Sequence, residues 1–244
     1  MDGFRIRADQ VPAPLAAHLD ALLGDWPPEG PLRVVGSVHR ERPGWDGTVC
    51  PAVALTTATG TVLSVPPDRV DRVRSLVRER GADVVLGQLG GAVGRRSLRT
   101  VRWVYRWCTD PVDLPEAGVW RPVADPGLPA WLRPFGGEAL VAADPAGEQL
   151  GAVAVKRHHG GGAELAVVVA RAARGRGLGR RLVAQAARRV LDEGAIPTYL
   201  HGPDNIGSAR LADAVGFVDP GWTQRAAMPA ETVRARLQRL AGRR

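Results

Sequence analysis

The sequence predicts an α/β (α+β) chain in two parts, a smaller N-terminal α/β unit over residues 1–98 and a larger α/β domain over residues 99–244. Three observations predict this. Short runs of β-branched and apolar residues alternate along the chain with segments of helical apolar spacing. Two Pro/Gly-rich zones, Gly87 to Gly94 and Pro111 to Pro134, interrupt the alternation near the middle. An apolar run, Leu165 to Ala170, leads through a glycine-rich loop into a strongly periodic helix.

In the first part, Leu15 to Leu23 reads as a short helix stopped by Gly24. Leu32 to Val38, Cys50 to Thr57 and Thr61 to Val65 read as strands, the last two joined as a hairpin by Ala58-Thr59-Gly60. Pro66-Pro67-Asp68 opens a helix, because proline is tolerated in a first turn. Val70, Val73, Leu76 and Val77 keep helical spacing, and Gly81 closes the helix. Val84 to Leu86 is expected to be one more strand. His18 and His39 stand alone, without a chemical constellation around them.

The second part carries more signal. Val101 to Cys108 is rich in β-formers. Ala139 to Ala143 and Leu150 to Val155 read as strands around the turn Asp144-Pro145-Ala146-Gly147, and His158 to Gly162 is a turn. Leu165 to Ala170 is apolar on both faces, as a central buried strand should be. Gly177 to Glu193 is a helix with Leu178, Leu182, Val183, Ala186 and Val190 on one side. Ile196 to Leu200 is a strand, Asn205 to Val215 a short helix ended by Gly216, and Phe217-Val218 the start of a last strand. Val233, Leu237 and Leu240 suggest a basic C-terminal helix.

Composition excludes several classes. At 45% hydrophobic and 24% charged, the 244 residues suit a globular chain. No apolar run approaches the roughly 20 residues of a spanning helix, and Met1 to Arg5 does not open like a secretory signal. No membrane role is expected, and the cytoplasm is the expected compartment. Cys50 and Cys108 lack CxxC spacing and read as thiols in a reducing environment. The net charge is +8. Yet only Lys156 is lysine among the 33 Lys and Arg residues, which looks like the codon bias of a GC-rich genome. The charges are scattered and mixed with Asp and Glu, so nucleic acid is not an expected partner.

The chemistry centres on Arg174-Gly175-Arg176-Gly177-Leu178-Gly179-Arg180. A loop feeding a helix N-terminus presents N–H groups without intrahelical acceptors, and the helix dipole adds positive potential. Such a place holds a phosphate or pyrophosphate. The three glycines let backbone approach the ligand, and Arg174, Arg176 and Arg180 add charge for a polyanion. A Walker loop would need Gly-Lys-Ser/Thr. A dinucleotide fingerprint would need glycine at position 180, where Arg180 stands.

The loop resembles the hallmark Arg/Gln-x-x-Gly-x-Gly/Ala of the GNAT acyltransferases, through Arg174, Gly177 and Gly179. A second stretch, Asn205 to Phe217, resembles that family's late Asn-x-x-Ala/Ser…Gly-Phe segment. The resemblance covers roughly residues 100 to 230. It implies a mixed, mostly antiparallel central sheet flanked by helices, acetyl-CoA as co-substrate, no metal, and a small-molecule or peptide amine as acceptor. Pairing of two chains is common in the family and implies a homodimer here.

The resemblance also implies roles. The backbone of Val167 and Val169 would hold the acyl carbonyl and the pantetheine arm. The N–H groups of Arg174, Gly175, Arg176, Gly177, Leu178, Gly179 and Arg180 would hold the pyrophosphate. Asn205 and Ser208 would lie along the pantetheine or the thioester. For Asn205 plain helix N-capping is the other reading, and the two can coexist. Many family members place a tyrosine in the late helix as general acid. The matching position here is Ala212, and neither Tyr105 nor Tyr199 aligns with it.

A neutral amine attacking a thioester must lose a proton, directly or through water. Glu164 opens the central strand near where family members often carry a carboxylate, although its parity is opposite to Val167 and Val169. His201 ends the next strand, and histidine titrates in the right range. These two are the catalytic candidates. Asp204 reads as a turn or cap residue. His158-His159 lacks further ligands at metal spacing. Trp120, Trp131 and Phe135 either line an acceptor pocket or pack a core. Two functional readings stand: an N-acetyltransferase acting on a primary amine, and a catalytically degenerate acyl-CoA-binding domain serving as sensor or scaffold. Residues 1–98 read as a degenerate second half or as an element that shapes the acceptor end.

Overall fold

The computed structural model describes residues 11–158 and 161–230. His159 and the basic helix expected around Val233, Leu237 and Leu240 lie outside the described residues. These residues fall into two compact units, one of residues 11–105 and 220–230, the other of residues 106–219.

In the first unit, α1 (Ala13–Leu23) buries Leu15, His18, Leu19 and Leu23 and ends at Gly24 in the left-handed conformation. Three strands follow: β1 (Leu32–Gly36), β2 (Val53–Thr56) and β3 (Thr61–Val65). β3 runs parallel to β1 and antiparallel to β2, through the expected hairpin. The helix expected after Pro66 begins as a 3-10 turn at Pro67–Arg69 and continues as α2 (Val70–Arg80). The strand expected at Val84 to Leu86 is instead α3 (Ala82–Gly87), followed by α4 (Leu89–Ala92) across the glycine-rich zone. Three apolar residues carry no period of their own. A core decides the matter: Val85, Leu86, Leu89, Ala92 and Val93 pack with Val73 against Val34 and Leu63. Two short helical segments, broken at Gln88, turn these closely spaced residues into the same core. Strand β4 (Arg99–Trp107) follows. Late in the chain, β10 (Val218–Met228) pairs antiparallel with β2 over Thr223–Ala226.

The second unit contains β5 (Val119–Pro122), β6 (Glu138–Ala143), β7 (Gln149–Arg157), β8 (Gly162–Val169), α5 (Leu178–Asp192), β9 (Ile196–His201) and α6 (Ile206–Val215). Its sheet runs β9-β8-β7-β6-β5. β5, β6, β7 and β8 pair antiparallel, and β8 pairs parallel with β9. The sheet is mixed and mostly antiparallel, with helices packed on it, as expected. A parallel pair needs a crossover, and α5 supplies it.

Each face of this sheet has its own core. On one face Leu140, Ala142, Val153, Val155, Ala163 and Leu165 pack against Leu182, Val183, Ala186 and Val190 of α5 and against Ala212 and Val215 of α6. On the other, Ala139, Val141, Ala152 and Ala154 pack against Val123, Leu128 and Leu132. Each fully buried Leu or Val contributes about 1.5–3 kcal/mol. Among the described residues no helix is long and apolar enough to cross a membrane. Cys108 lies in the first of these cores, where burial pushes its thiol up to about 11 and keeps it protonated. Cys50 is half-buried, with its Sγ 3.4 Å from the carbonyl of Ala227.

The segment before β5 is strapped to α5 by one row of helical side chains. Arg181 donates to the carbonyls of Pro115 and Glu116, and Arg188 to those of Val112 and Leu114. Between them the buried Gln185 accepts from the N–H groups of Ala117 and Gly118 and donates to the Gly118 carbonyl. The spacing i, i+4, i+7 places all three on one side of the helix. Gly118 sits under this strap, and a Cβ there would stand 2.8 Å from Leu182 Cδ2 and 3.0 Å from Leu140 Cγ and the Val141 carbonyl. Gly118→Ala is therefore expected to lower stability by about 1–3 kcal/mol through overpacking. Urea unfolding of the variant should show a lower midpoint at unchanged slope, and an unaltered midpoint would refute the close packing.

Candidate active site

The loop after β8 owes its shape to its glycines. Gly175 and Gly177 have φ of +77° and +78°, a conformation that costs other residues roughly 1–2 kcal/mol. Gly177 is the N-cap of α5, and no side chain caps the helix. The first helical bond runs from the Arg181 N–H to the Gly177 carbonyl, so Leu178, Gly179 and Arg180 present N–H groups with no intrahelical acceptor. Gly179 serves a different need. A Cβ there would lie 2.7 Å from Leu211 Cδ1 and 3.3 Å from Val169 Cγ2. The helix N-terminus can thus press against both β8 and α6. The side chains of Arg174, Arg176 and Arg180 are exposed around the loop, and Arg174 Nε donates to the Val169 carbonyl at 3.0 Å.

Beside the loop the sheet parts. β8 and β9 pair at Gly162↔Ile196, Ala163↔Pro197 and Glu164↔Thr198, and at no later residue. The stretches Leu165–Val169 and Tyr199–His201 run on beyond the last pair. The Ala170 N–H bonds the Leu150 carbonyl on the β7 side. Ladder alternation then turns the N–H and C=O of Leu165, Val167 and Val169 toward the gap. The gap and the uncapped N-terminus of α5 are neighbours, because Val169 and Gly179 are in contact range.

Glu164 closes the paired stretch. It is 8% exposed and forms an ion pair with Lys156, its register partner on β7. His158 Nε2 stands 3.3 Å from its other carboxylate oxygen. Burial alone would raise the Glu164 pKa. The charge of Lys156 and the hydrogen bond and charge of His158 outweigh it, and the carboxyl lies well below the usual range. Glu164 therefore stays ionised, and its affinity for a proton is low.

His201 lies on the other face. Thr198 is the register partner of Glu164, and Tyr199 and Ser208 bond on the α6 side, so Tyr199 and His201 share the face opposite Glu164. The two catalytic candidates are not brought together. His201 is buried, and both ring nitrogens are engaged. Nε2 is 3.1 Å from Arg106 Nε, which can only donate, so Nδ1 carries the proton toward the Gly202 carbonyl at 2.9 Å. Arg106, also buried, bonds Asp213 and Asp219 with its remaining donors. Asn205 caps α6 by accepting from the Ser208 N–H at 3.1 Å. Ser208 Oγ is 2.8 Å from the Tyr199 hydroxyl. Tyr199 is 2% exposed, and burial raises its pKa. Ala212, where the family pattern places tyrosine, is fully buried under α5. Asp204 lies in the turn before α6.

Residues 99–217 match the family model described as "Acetyltransferase (GNAT) family". These residues are a GNAT acetyltransferase domain. Solved structures similar to the chain include a GNAT-family acetyltransferase from Colwellia psychrerythraea. It is 13% identical over 68% of this chain and 76% of that one, with a TM-score of 0.46. A GCN5-related N-acetyltransferase-like protein from Streptococcus suis is 17% identical over 68% and 71%, with a TM-score of 0.42. A GCN5-related N-acetyltransferase from Kribbella flavida is 17% identical over 58% and 64%, with a TM-score of 0.40. No curated protein matches the chain.

Within the GNAT domain the aromatic candidates do not converge. Trp120 packs on the α5 face, beneath the guanidinium of Arg189 at 4.2 Å. Trp131 and Phe135 meet edge to face on the opposite core. Sequence reasoning did not single out Arg106, Lys156 or the Tyr199–Ser208 contact. Lys156 had a signal, as the sole lysine in an arginine-rich chain. Arg106 had none.

The Glu164 cluster gives a signed pH prediction. A carboxyl whose folded pKa is depressed adds stability above its unfolded value, near 4.5, and loses it as pH falls through the folded value. Lys156→Met leaves a buried carboxylate without its main partner, at a cost of about 3–5 kcal/mol at neutral pH. Protonation then relieves that cost. The deficit against wild type in urea unfolding should be largest at pH 7.5 and shrink toward pH 5. A deficit equal at both pH values would contradict the ion pair.

Proposed function

We propose that residues 99–244 transfer an acyl group, acetyl in the first instance, from acyl-CoA to a primary amine of a small molecule or peptide. The observation that carries this reading is the juxtaposition of an uncapped helix N-terminus, shaped by two left-handed glycines, with the gap between β8 and β9. The first fits a pyrophosphate, and the second fits an extended arm that needs backbone partners. The N–H groups of Leu178, Gly179 and Arg180, with the exposed Arg174, Arg176 and Arg180, would hold the pyrophosphate. The groups of Val167 and Val169 that face the gap would hold the pantetheine amides and the acyl carbonyl, except that the Val169 carbonyl is already shared with Arg174. Asn205 and Ser208 would flank the arm from α6.

The co-substrate supplies an activated carbonyl and a good leaving group, so the protein's work is to orient and to remove a proton. Of the two candidate bases, Glu164 is held ionised but binds a proton weakly, so its part would be to orient, through its charge, the water that takes the amine proton. The amine must arrive neutral, since only its lone pair can attack the carbonyl. His201 would act by position, since its acceptor nitrogen is committed to Arg106. Residues 1–98 hold none of the groups assigned to the chemistry. The cytoplasm, a reducing compartment with acyl-CoA at hand, is the proposed site of action, and a homodimer the proposed assembly.

Calorimetry with acetyl-CoA should give micromolar binding for wild type and none for Gly177→Glu, whose carboxylate repels the pyrophosphate, with circular dichroism confirming the variant's fold. Absence of binding to wild type would overturn the reading. Binding without turnover on any amine tried would leave an acyl-CoA-binding domain without catalysis.

A further inference from the structure

The parting of β8 from β9 needs a cause. β8 keeps one register with β7, from Gly151↔Val169 to Arg157↔Ala163, without a slip. It is β9 that turns away. Had β9 run on beside β8, the register Glu164↔Thr198 would bring Leu165 opposite Tyr199 and Val167 opposite His201. The Pro197 carbonyl accepts from the Cys108 N–H and so is turned from β8, and alternation then turns the peptide groups of Thr198 and Leu200 toward the gap. Those of Leu165 and Val167 face them from β8. The two edges could pair, and backbone groups left unpaired away from water are costly. Something must hold the end of β9 off.

Arg106 reaches that end. Its Nε donates to His201 Nε2 at 3.1 Å, and its other two nitrogens bond Asp213 of α6 and, at 2.9 Å, Asp219. The donors of a guanidinium are fixed in one planar fork, so the three bonds hold His201, α6 and Asp219 in a single arrangement. Arg106 is 4% exposed. The other ring nitrogen of His201 is held by the Gly202 carbonyl at 2.9 Å. The grip therefore falls on the residue that would otherwise lie opposite Val167.

We propose that Arg106 is a positioning residue that braces β9 away from β8 and so keeps the peptide groups of Leu165 and Val167 open to acyl-CoA. This rests on the proposed acyl-CoA site and names what holds it open. In this role Arg106 meets no reacting atom and acts through His201. Without the brace, β9 extends its ladder along β8, and the arm of acyl-CoA must compete with β9 for the same backbone groups.

The direction of amide hydrogen exchange tests the brace without any ligand. In Arg106→Met the amides of Leu165, Val167 and Leu200 should exchange about tenfold more slowly than in wild type, the worth of one net hydrogen bond. An arginine that merely stabilised the fold gives the opposite sign, since its loss eases local opening and speeds exchange. The side chains of Asp213 and Asp219 are 62% and 41% exposed and stay solvated without the arginine, so the variant should fold. His201→Leu, which cuts the same bond from the β9 side, should slow the same amides. Both variants should bind acetyl-CoA about tenfold more weakly in calorimetry. Exchange at these amides that is unchanged or faster in either variant overturns the proposal. Slower exchange in both, in a protein whose wild type binds no acetyl-CoA, upholds the brace and overturns the acyl-CoA site.

Discussion

The second unit depends on one limit: the parallel pairing of β8 and β9 stops at Glu164 and Thr198. Parallel strands in a sheet's interior normally bond along their shared length, since an unpaired peptide group away from water is costly. Here both strands continue past the last rung, into half-buried residues on β8 and into Tyr199 and His201 on β9. Open backbone edges in the middle of a sheet are tolerated where something else is to fill them. The crossover between these same strands is α5, so the open edges and the helix N-terminus necessarily share one end of the sheet. Gly179 completes the arrangement by letting α5 come close to Val169 and Leu211.

The strand pleat then sorts the polar groups by face. Glu164, Lys156 and His158 share one face, while Tyr199, His201, Arg106 and Ser208 cluster on the other, with α6. The first group is an ionic cluster whose carboxylate is held charged against burial. The second holds two separate groups, the Tyr199–Ser208 hydroxyl pair and the buried Arg106, which bonds Asp213 and Asp219 and fixes the tautomer of His201. That division follows from the alternation of side chains along β8 and β9.

How far the sequence revealed this depends on the range of the signal. The helix α5 was legible because Leu182, Val183, Ala186 and Val190 repeat at helical spacing, and the loop before it because three glycines fall between arginines at fixed intervals. The match of residues 99–217 to the GNAT family agrees with the resemblance drawn from that loop and from Asn205 to Phe217. Val84 to Leu86 was misread because three apolar residues fit a strand or a helix equally, and only contacts with Val34, Leu63 and Val73 choose. β5 was hidden in a proline-rich stretch without alternation. The pairing of Glu164 with Lys156 needs the register of β7 against β8, which depends on long-range packing. Arg106 is one basic residue among many until β9 and α6 bring His201 and Asp213 to it.

The scarcity of lysine has a consequence for the protein as a chemical object. Acyl thioesters modify exposed primary amines even without catalysis, and a protein that concentrates one on its surface exposes its own side chains first. Arginine, always protonated, offers no such nucleophile. Lys156 is the only lysine in the sequence, and it is 13% exposed in its ion pair with Glu164. Under the proposed function, the chain would thus meet a polyanionic thioester with many arginines and a single lysine amine, one already held in an ion pair.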